Sequence, residues 1–174
     1  PMPIKVPDNL PALENLHAEQ VDVMAQKQAL RQDIRPLRLL LLNLMPKKQE
    51  TEIQFARLFG NSPLQIELIL MTTASYTPRH TEPGYLRRFY RRHEDVRDEF
   101  YDALIVTGAP IERLEFEDVA YWKELTEIMD WSRTHCFRRL GICWGAQALL
   151  YHFHQVPKHD CGDKLFGVFG HQLK

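Results

Sequence analysis

The stretch Leu140-Gly141-Ile142-Cys143-Trp144-Gly145-Ala146-Gln147 sets a cysteine between two glycines, where one apolar run ends and another begins. This is the pattern of a nucleophile elbow, a tight strand-to-helix turn that presents its central residue at the tip of a sheet. Glycine two residues before and two after the nucleophile is required because the turn brings those backbones too close for a Cβ. The turn also puts Cys143 at a helix N-terminus, where unpaired N–H groups and the helix dipole favour the thiolate over the thiol. A thiolate attacking a carbonyl needs donors aimed at the oxygen that becomes negative. The N–H of Trp144 is one. The turn Gly108-Ala109-Pro110 is the expected second source, since a glycine turn at a neighbouring strand end exposes backbone N–H groups.

Other candidates carry less. Lys47 follows an apolar run and could hold a carboxylate or a coenzyme A phosphate; its neighbour Lys48 has no separate support. Cys136 and Cys161 lack any comparable setting and read as structural or incidental. Arg87, Arg88, Arg91, Arg92 and Arg97 are offset by Glu94, Asp95, Asp98 and Glu99 and read as a solvated helix face. His152, His154, His159 and Cys161 show no recognised ligand spacing, so no metal is expected.

These residues need a scaffold. Leu37–Met45 is a nearly continuous apolar run stopped by Pro46, as in a buried parallel strand covered on both faces. Further strands are expected at Leu64–Met71, Ala103–Val106 and Arg139–Cys143. Helices are expected at 51–59, Gly84–Val96, Tyr121–Thr134 and Trp144–Phe153. Alternation of this kind implies an α/β fold, a parallel sheet with helices on both faces. Function in such sheets collects at the C-terminal strand ends, which is where Met45-Pro46-Lys47, Thr107-Gly108-Ala109-Pro110 and Cys143-Trp144 fall. Residues 1–36, with prolines at 1, 3, 7, 11 and 36, read as an N-terminal arm, and residues 37–174 as the α/β domain.

The 174 residues suffice for one domain. A formal net charge of −1 argues for neither nucleic acid nor an anionic membrane as partner. Three cysteines without framework spacing fit a reducing compartment, and no run approaches the roughly 18 apolar residues of a membrane span. A soluble cytoplasmic protein is expected.

Several motifs together, Leu42-Asn43-Leu44-Met45-Pro46-Lys47-Lys48, Asn61-Ser62-Pro63-Leu64-Gln65, Val106-Thr107-Gly108-Ala109-Pro110, Asp118-Val119-Ala120-Tyr121-Trp122 and Ile142-Cys143-Trp144-Gly145-Ala146-Gln147-Ala148, resemble the homoserine O-acyltransferase family, also called homoserine transsuccinylase. The resemblance implies a flavodoxin-like α/β fold related to class I glutamine amidotransferases. It implies transfer of an acyl group from coenzyme A to the hydroxyl of L-homoserine, or of L-serine in some relatives, through an acyl-cysteine and without a bound cofactor. It further implies a homodimer. Matched motif by motif, Cys143 takes the place of the family's nucleophile and Lys164 that of its substrate-binding lysine.

Glu112 stands at the position linked in the family to acyl-donor choice, where glutamate goes with acetyl-CoA and glycine with succinyl-CoA. A carboxylate there would repel the free carboxylate of a succinyl group and tolerate a methyl. The family's base is a histidine in a Gly-His-Pro-Glu segment, and this sequence ends at Gly170-His171-Gln172-Leu173-Lys174 without one. The expectation is a fragment of a longer enzyme, or a truncated copy with impaired activity and an exposed sheet edge. Three readings therefore stand: an acetyltransferase (succinyl transfer being its near variant), a glutaminase domain sharing the Cys-Trp-Gly-x-Gln elbow, and an inactive binding module.

Overall fold

A computed structural model describes residues 4–21, 23–25, 35–76, 81–160, 162, 167–170 and 172. Among them six strands form one sheet: β1 (Ile4–Val6), β2 (Val23–Ala25), β3 (Leu37–Leu42), β4 (Ile66–Met71), β5 (Tyr101–Val106) and β6 (Cys136–Gly141). Their spatial order is β2-β1-β4-β3-β5-β6 and every pairing is parallel. The helices are α1 (Ala12–Ala18), α2 (Lys48–Gly60), α3 (Pro83–Phe89), α4 (His93–Val96), α5 (Trp122–His135) and α6 (Trp144–His154).

β3 is central and its leucines serve both faces. Leu40 and Leu42 join Leu104, Val106, Leu125, Ile128 and Trp144 in one buried cluster, beneath α5 and α6. Leu41 joins Ile4, Leu16, Ala56, Leu68, Leu70 and Ile105 in the other, beneath α1 and α2. This two-sided covering is why the run lacks polar alternation. The flavodoxin-like α/β arrangement follows: from β3 the chain winds to β4 on one side, then returns past β3 to β5 and β6 on the other. The order thus reverses at β3 and β5, and beyond their carboxyl ends the loops part to leave a crevice.

Three features differ from the sequence expectation. The segment read as an N-terminal arm instead supplies strands: Ile4 pairs with Ile66 at the start of β4, and Ile4, Val6, Leu10 and Leu16 are fully or almost fully buried. Three-residue strands flanked by prolines carry little local signal and gain their stability from the sheet they join. The helix expected over Gly84–Val96 is two helices, because Tyr90 is extended and Arg91 bridges to β4, its N–H donating to the Leu70 carbonyl at 2.8 Å. β6 starts and ends earlier than expected, leaving Ile142 and Cys143 to make the turn.

Candidate active site

Cys143 sits between the last residues of β6 and the first of α6 with φ 53° and ψ −122°, a backbone region that L residues rarely adopt. The flanking glycines make this possible. A Cβ on Gly141 would lie 2.5 Å from the Ala146 Cα, and one on Gly145 would lie 2.4 Å from the Val106 carbonyl oxygen. Gly145 is therefore what lets α6 start directly against the end of β5. The Gly145 N–H returns to the Ile142 carbonyl at 3.0 Å, and the Ala146 and Gln147 N–H groups to that of Cys143. The N–H of Trp144 donates to no backbone group among the described residues. The Cys143 side chain is exposed, whereas Cys136 is buried and burial pushes its thiol up to about 12. Of these two cysteines, Cys143 alone is open to an incoming reactant.

Gly108 faces Cys143 from the end of β5. A Cβ there would stand 3.2 Å from the Cys143 Cβ and 3.5 Å from its Sγ. The backbone N–H groups of Gly108 and Ala109 likewise donate to no backbone group among the described residues. Thr107 anchors this turn, its N–H donating to the Leu42 carbonyl and its Oγ1 accepting from the Leu44 N–H at 2.8 Å. The structure thus brings together Cys143, Trp144, Gly108 and Ala109 at the ends of adjacent strands.

Glu112 lies on the exposed loop after β5, where its backbone carbonyl accepts from Lys158 Nζ at 2.9 Å. Lys158 also donates to the Leu114 carbonyl and lies over the Phe116 ring. Lys164 falls outside the described residues. His152 is engaged with Asp130, Nε2 to Oδ1 at 3.0 Å.

Between the loops that leave β3 and β5 lies a cavity of about 440 Å³. It is walled by Leu44 and Met45 from the first loop, Ile111 and Leu114 from the second, and Thr72 and Thr73 from the end of β4. Of the two adjacent lysines, it is Lys48 that lines this cavity. Lys47 points outward, its side chain 69% exposed, and pairs with Glu50 at 2.9 Å.

Lys48 is buried, and burial lowers its ammonium to about 8 against the opposing pull of Glu52. Its Nζ donates to the carbonyls of Asn43 and Met45. Glu52, one helical turn on, is raised by burial and accepts from Tyr85 and Tyr90 hydroxyls. Asn43 closes the network, its Nδ2 donating to the Tyr90 hydroxyl at 2.9 Å and to the Lys48 carbonyl. The signal for Lys48 was present in the sequence, since Lys48 and Glu52 are four apart and so share a helix face.

Fold and site define an α/β protein of the cysteine-elbow type, with its nucleophile candidate at the carboxyl edge of a parallel sheet. A family model described as homoserine O-succinyltransferase matches residues 3–174, and the chain belongs to that family. It is 53% identical over 170 residues to a homoserine O-acetyltransferase of Clostridium beijerinckii, covering 98% of this chain and 56% of that protein. It is 52% identical over 172 residues to one of Brevibacillus brevis, covering 99% and 56%, and 50% identical over 173 residues to one of Parabacteroides distasonis, with the same shares. The chain thus spans somewhat over half the length of the curated relatives it matches. No helix among the described residues is long and apolar enough to cross a membrane.

Proposed function

We propose that this chain carries the acyl-accepting half of a homoserine O-acetyltransferase. The observation that carries the reading is Cys143 at its positive-φ elbow, exposed, with Gly108 opposite it and α6 beginning at the next residue. The thiolate of Cys143 attacks the thioester carbonyl of acetyl-CoA. The N–H groups of Trp144 and of the Gly108-Ala109 turn receive the developing oxyanion. The intermediate collapses by breaking the bond to the coenzyme A sulfur, which leaves as its thiolate, and Cys143 keeps the acetyl group. The hydroxyl of L-homoserine then attacks the acetyl-cysteine, losing its proton to a base and releasing O-acetylhomoserine with the Cys143 thiolate restored.

The acceptor comes from the names of the relatives, all homoserine O-acetyltransferases. The donor rests on these names and on Glu112, whose carboxylate would oppose that of a succinyl group. In this reading Lys164 contacts the amino-acid substrate, acetyl-CoA is a co-substrate with no resident cofactor, and the protein works as a cytoplasmic homodimer.

Intact-mass spectrometry of the chain after incubation with acetyl-CoA or succinyl-CoA tests the proposal, beside Cys143→Ala. One acetyl group gained from acetyl-CoA, absent from Cys143→Ala and with no succinyl counterpart, is expected. A succinyl adduct would overturn the donor, and acetylation that survives in Cys143→Ala would overturn the nucleophile.

A further inference from the structure

Beside the nucleophile lies one buried hydroxyl that the chemistry above does not use. Thr107 directly follows the last residue of β5 and is 2% exposed. A threonine hydroxyl has one proton and two lone pairs, so a neighbour that donates to it leaves its proton free for another partner. Leu44 is that neighbour. Its backbone N–H, on the loop leaving β3, donates to Thr107 Oγ1 at 2.8 Å. The proton on Oγ1 goes to the Gly108 carbonyl oxygen, 3.0 Å away.

Thr107 is itself firmly held. Its N–H donates to the Leu42 carbonyl at 3.1 Å, which ties it to the end of β3. Its carbonyl oxygen abuts the first turn of α6, at 2.5 Å from where a Cβ on Gly145 would stand. The loop that supplies Leu44 is fixed as well, since Asn43 Oδ1 accepts from the Met45 N–H at 3.1 Å. The hydroxyl is therefore a rigid point set between two strand ends.

What it holds is one peptide unit. The Gly108 carbonyl and the Ala109 N–H belong to the same planar trans unit, in which C=O and N–H point in opposite directions. Fixing the carbonyl on Thr107 Oγ1 fixes the heading of the Ala109 N–H, away from Thr107. Ala109 is 6% exposed, and its N–H donates to no group among the described residues. A buried N–H without a partner is rare in a folded protein and calls for a reason. Gly108 is the residue least able to hold such an orientation by itself, because it lacks the Cβ that restricts other backbones. It is also the residue that faces the Cys143 sulfur, 3.5 Å from where its own Cβ would be.

We infer that Thr107 is a positioning residue for acyl transfer: by holding the Gly108 carbonyl, its hydroxyl aims the Ala109 N–H at the oxyanion formed when Cys143 attacks. This rests on the acyl-transfer reading given above and deepens it, naming the N–H that receives the charge and the group that aims it. A donor fixed in advance needs no reorientation as charge develops. A glycine peptide free to turn would have to be ordered first, at an entropic cost.

The test sets acylation of Cys143 against alkylation. Acetyl-CoA and p-nitrophenyl acetate both pass through a tetrahedral oxyanion. Iodoacetamide does not, since the sulfur attacks its methylene carbon and iodide leaves. Rates of all three are followed by intact mass on the 174-residue chain, with Cys143→Ala as background. Thr107→Val replaces the hydroxyl by a methyl, Thr107→Ala removes it without setting a methyl against the Leu44 N–H, and Thr107→Ser keeps it.

Thr107→Val and Thr107→Ala are expected to slow acetylation by both donors about ten- to a hundredfold, less than full loss of an oxyanion donor because the N–H is misaimed rather than removed. Alkylation should stay within about twofold of wild type, since the thiolate itself is untouched. Thr107→Ser should recover at least about a third of the wild-type acetylation rate, having kept the hydroxyl.

Unchanged acetylation in Thr107→Val and Thr107→Ala would overturn the inference, as would equal losses of acetylation and alkylation. A Thr107→Ser variant no faster than Thr107→Val would overturn it too. Unfolding of both Thr107→Val and Thr107→Ala, with Thr107→Ser native, would assign the hydroxyl to the fold alone. Wild-type acetylation by p-nitrophenyl acetate but not by acetyl-CoA would sink the donor reading, while the p-nitrophenyl acetate rates still judge Thr107. Alkylation of wild-type Cys143 without acetylation by either donor would show that no oxyanion hole operates, and would end both.

Discussion

Cys143 holds a conformation that costs on the order of 1–3 kcal/mol for a residue with a Cβ, so its surroundings must enforce it. Gly141, Gly145 and Gly108 do this in different ways, and their substitution separates folding from chemistry. A methyl at Gly145 would meet backbone carbonyls of Val106 and Thr107 at 2.4 and 2.5 Å, atoms fixed in the sheet that cannot give way. Gly145→Ala is therefore expected to cost about 3 kcal/mol or more in urea unfolding, the range for severe overpacking. A methyl at Gly108 would press on the Cys143 side chain at 3.2 Å, where a shift of a few tenths of an ångström relieves it. Gly108→Ala should cost about 1 kcal/mol or less in stability, yet slow Cys143 acetylation by roughly tenfold through misplacement of the sulfur. Equal stability losses in the two variants would show that the turn is not packed as described. The spacing of Gly141 and Gly145 about Cys143 is legible in the sequence because the turn is local. The contact between Gly108 and the sulfur joins residues 35 positions apart and becomes concrete only with β5 beside β6.

At the level of elements, the first turn of α2 holds a buried hydrogen-bonded network, Lys48 on backbone carbonyls and Glu52 on tyrosine hydroxyls, whose charge state sets a pH dependence. An unfolded Lys48 would keep its proton to its ordinary value of 10.5, whereas the folded one gives it up at about 8. Between those values the unfolded chain binds more protons than the folded one, so this residue's contribution to stability rises with pH through that window. Below about 8 both states are protonated and the full burial cost of the ammonium applies. Urea unfolding of wild type and Lys48→Met at pH 7.5 and 9.5 checks this. The difference between them should move in favour of wild type by on the order of 2 kcal/mol at the higher pH. A constant difference would mean that Lys48 is not a buried cation.

Which of two adjacent lysines turns inward depends on helix phase, and the i,i+4 relation of Lys48 to Glu52 encodes that phase. Lys47, which a reading of strand ends alone favours, instead pairs at the surface with Glu50. β3, β4 and β5 are legible as apolar runs, whereas β6 carries Arg138 and Arg139 and lies earlier than the expected Arg139–Cys143. The break at Tyr90–Arg92 is not legible, since Leu86, Phe89, Tyr90, His93 and Val96 keep near-helical spacing while the backbone between them leaves the helix to pair with β4.

Across the whole molecule, the two outer strands of the sheet pose different problems. β2 has three residues and lies beside the equally short β1, so it offers little backbone to another chain. β6 has six, and it carries Phe137 at 73% and Leu140 at 52% exposure, with Arg138 and Arg139 also exposed between them. Parallel sheets are ordinarily covered on both faces, and a long outer strand with apolar side chains directed outward is a template for pairing. The arginines oppose stacking of like strands through their charge, an effect that salt weakens.

The 174-residue chain is therefore expected to self-associate through this edge as its concentration rises, more so at high ionic strength. Phe137→Lys with Leu140→Lys should suppress the larger species while leaving unfolding stability within about 0.5 kcal/mol, the usual effect at exposed positions. Sedimentation velocity at low and high salt, on wild type and the double variant, reads both effects. Association that is unchanged in the double variant would move the contact away from β6, and association that weakens with salt would show that charge attraction drives it rather than the apolar edge.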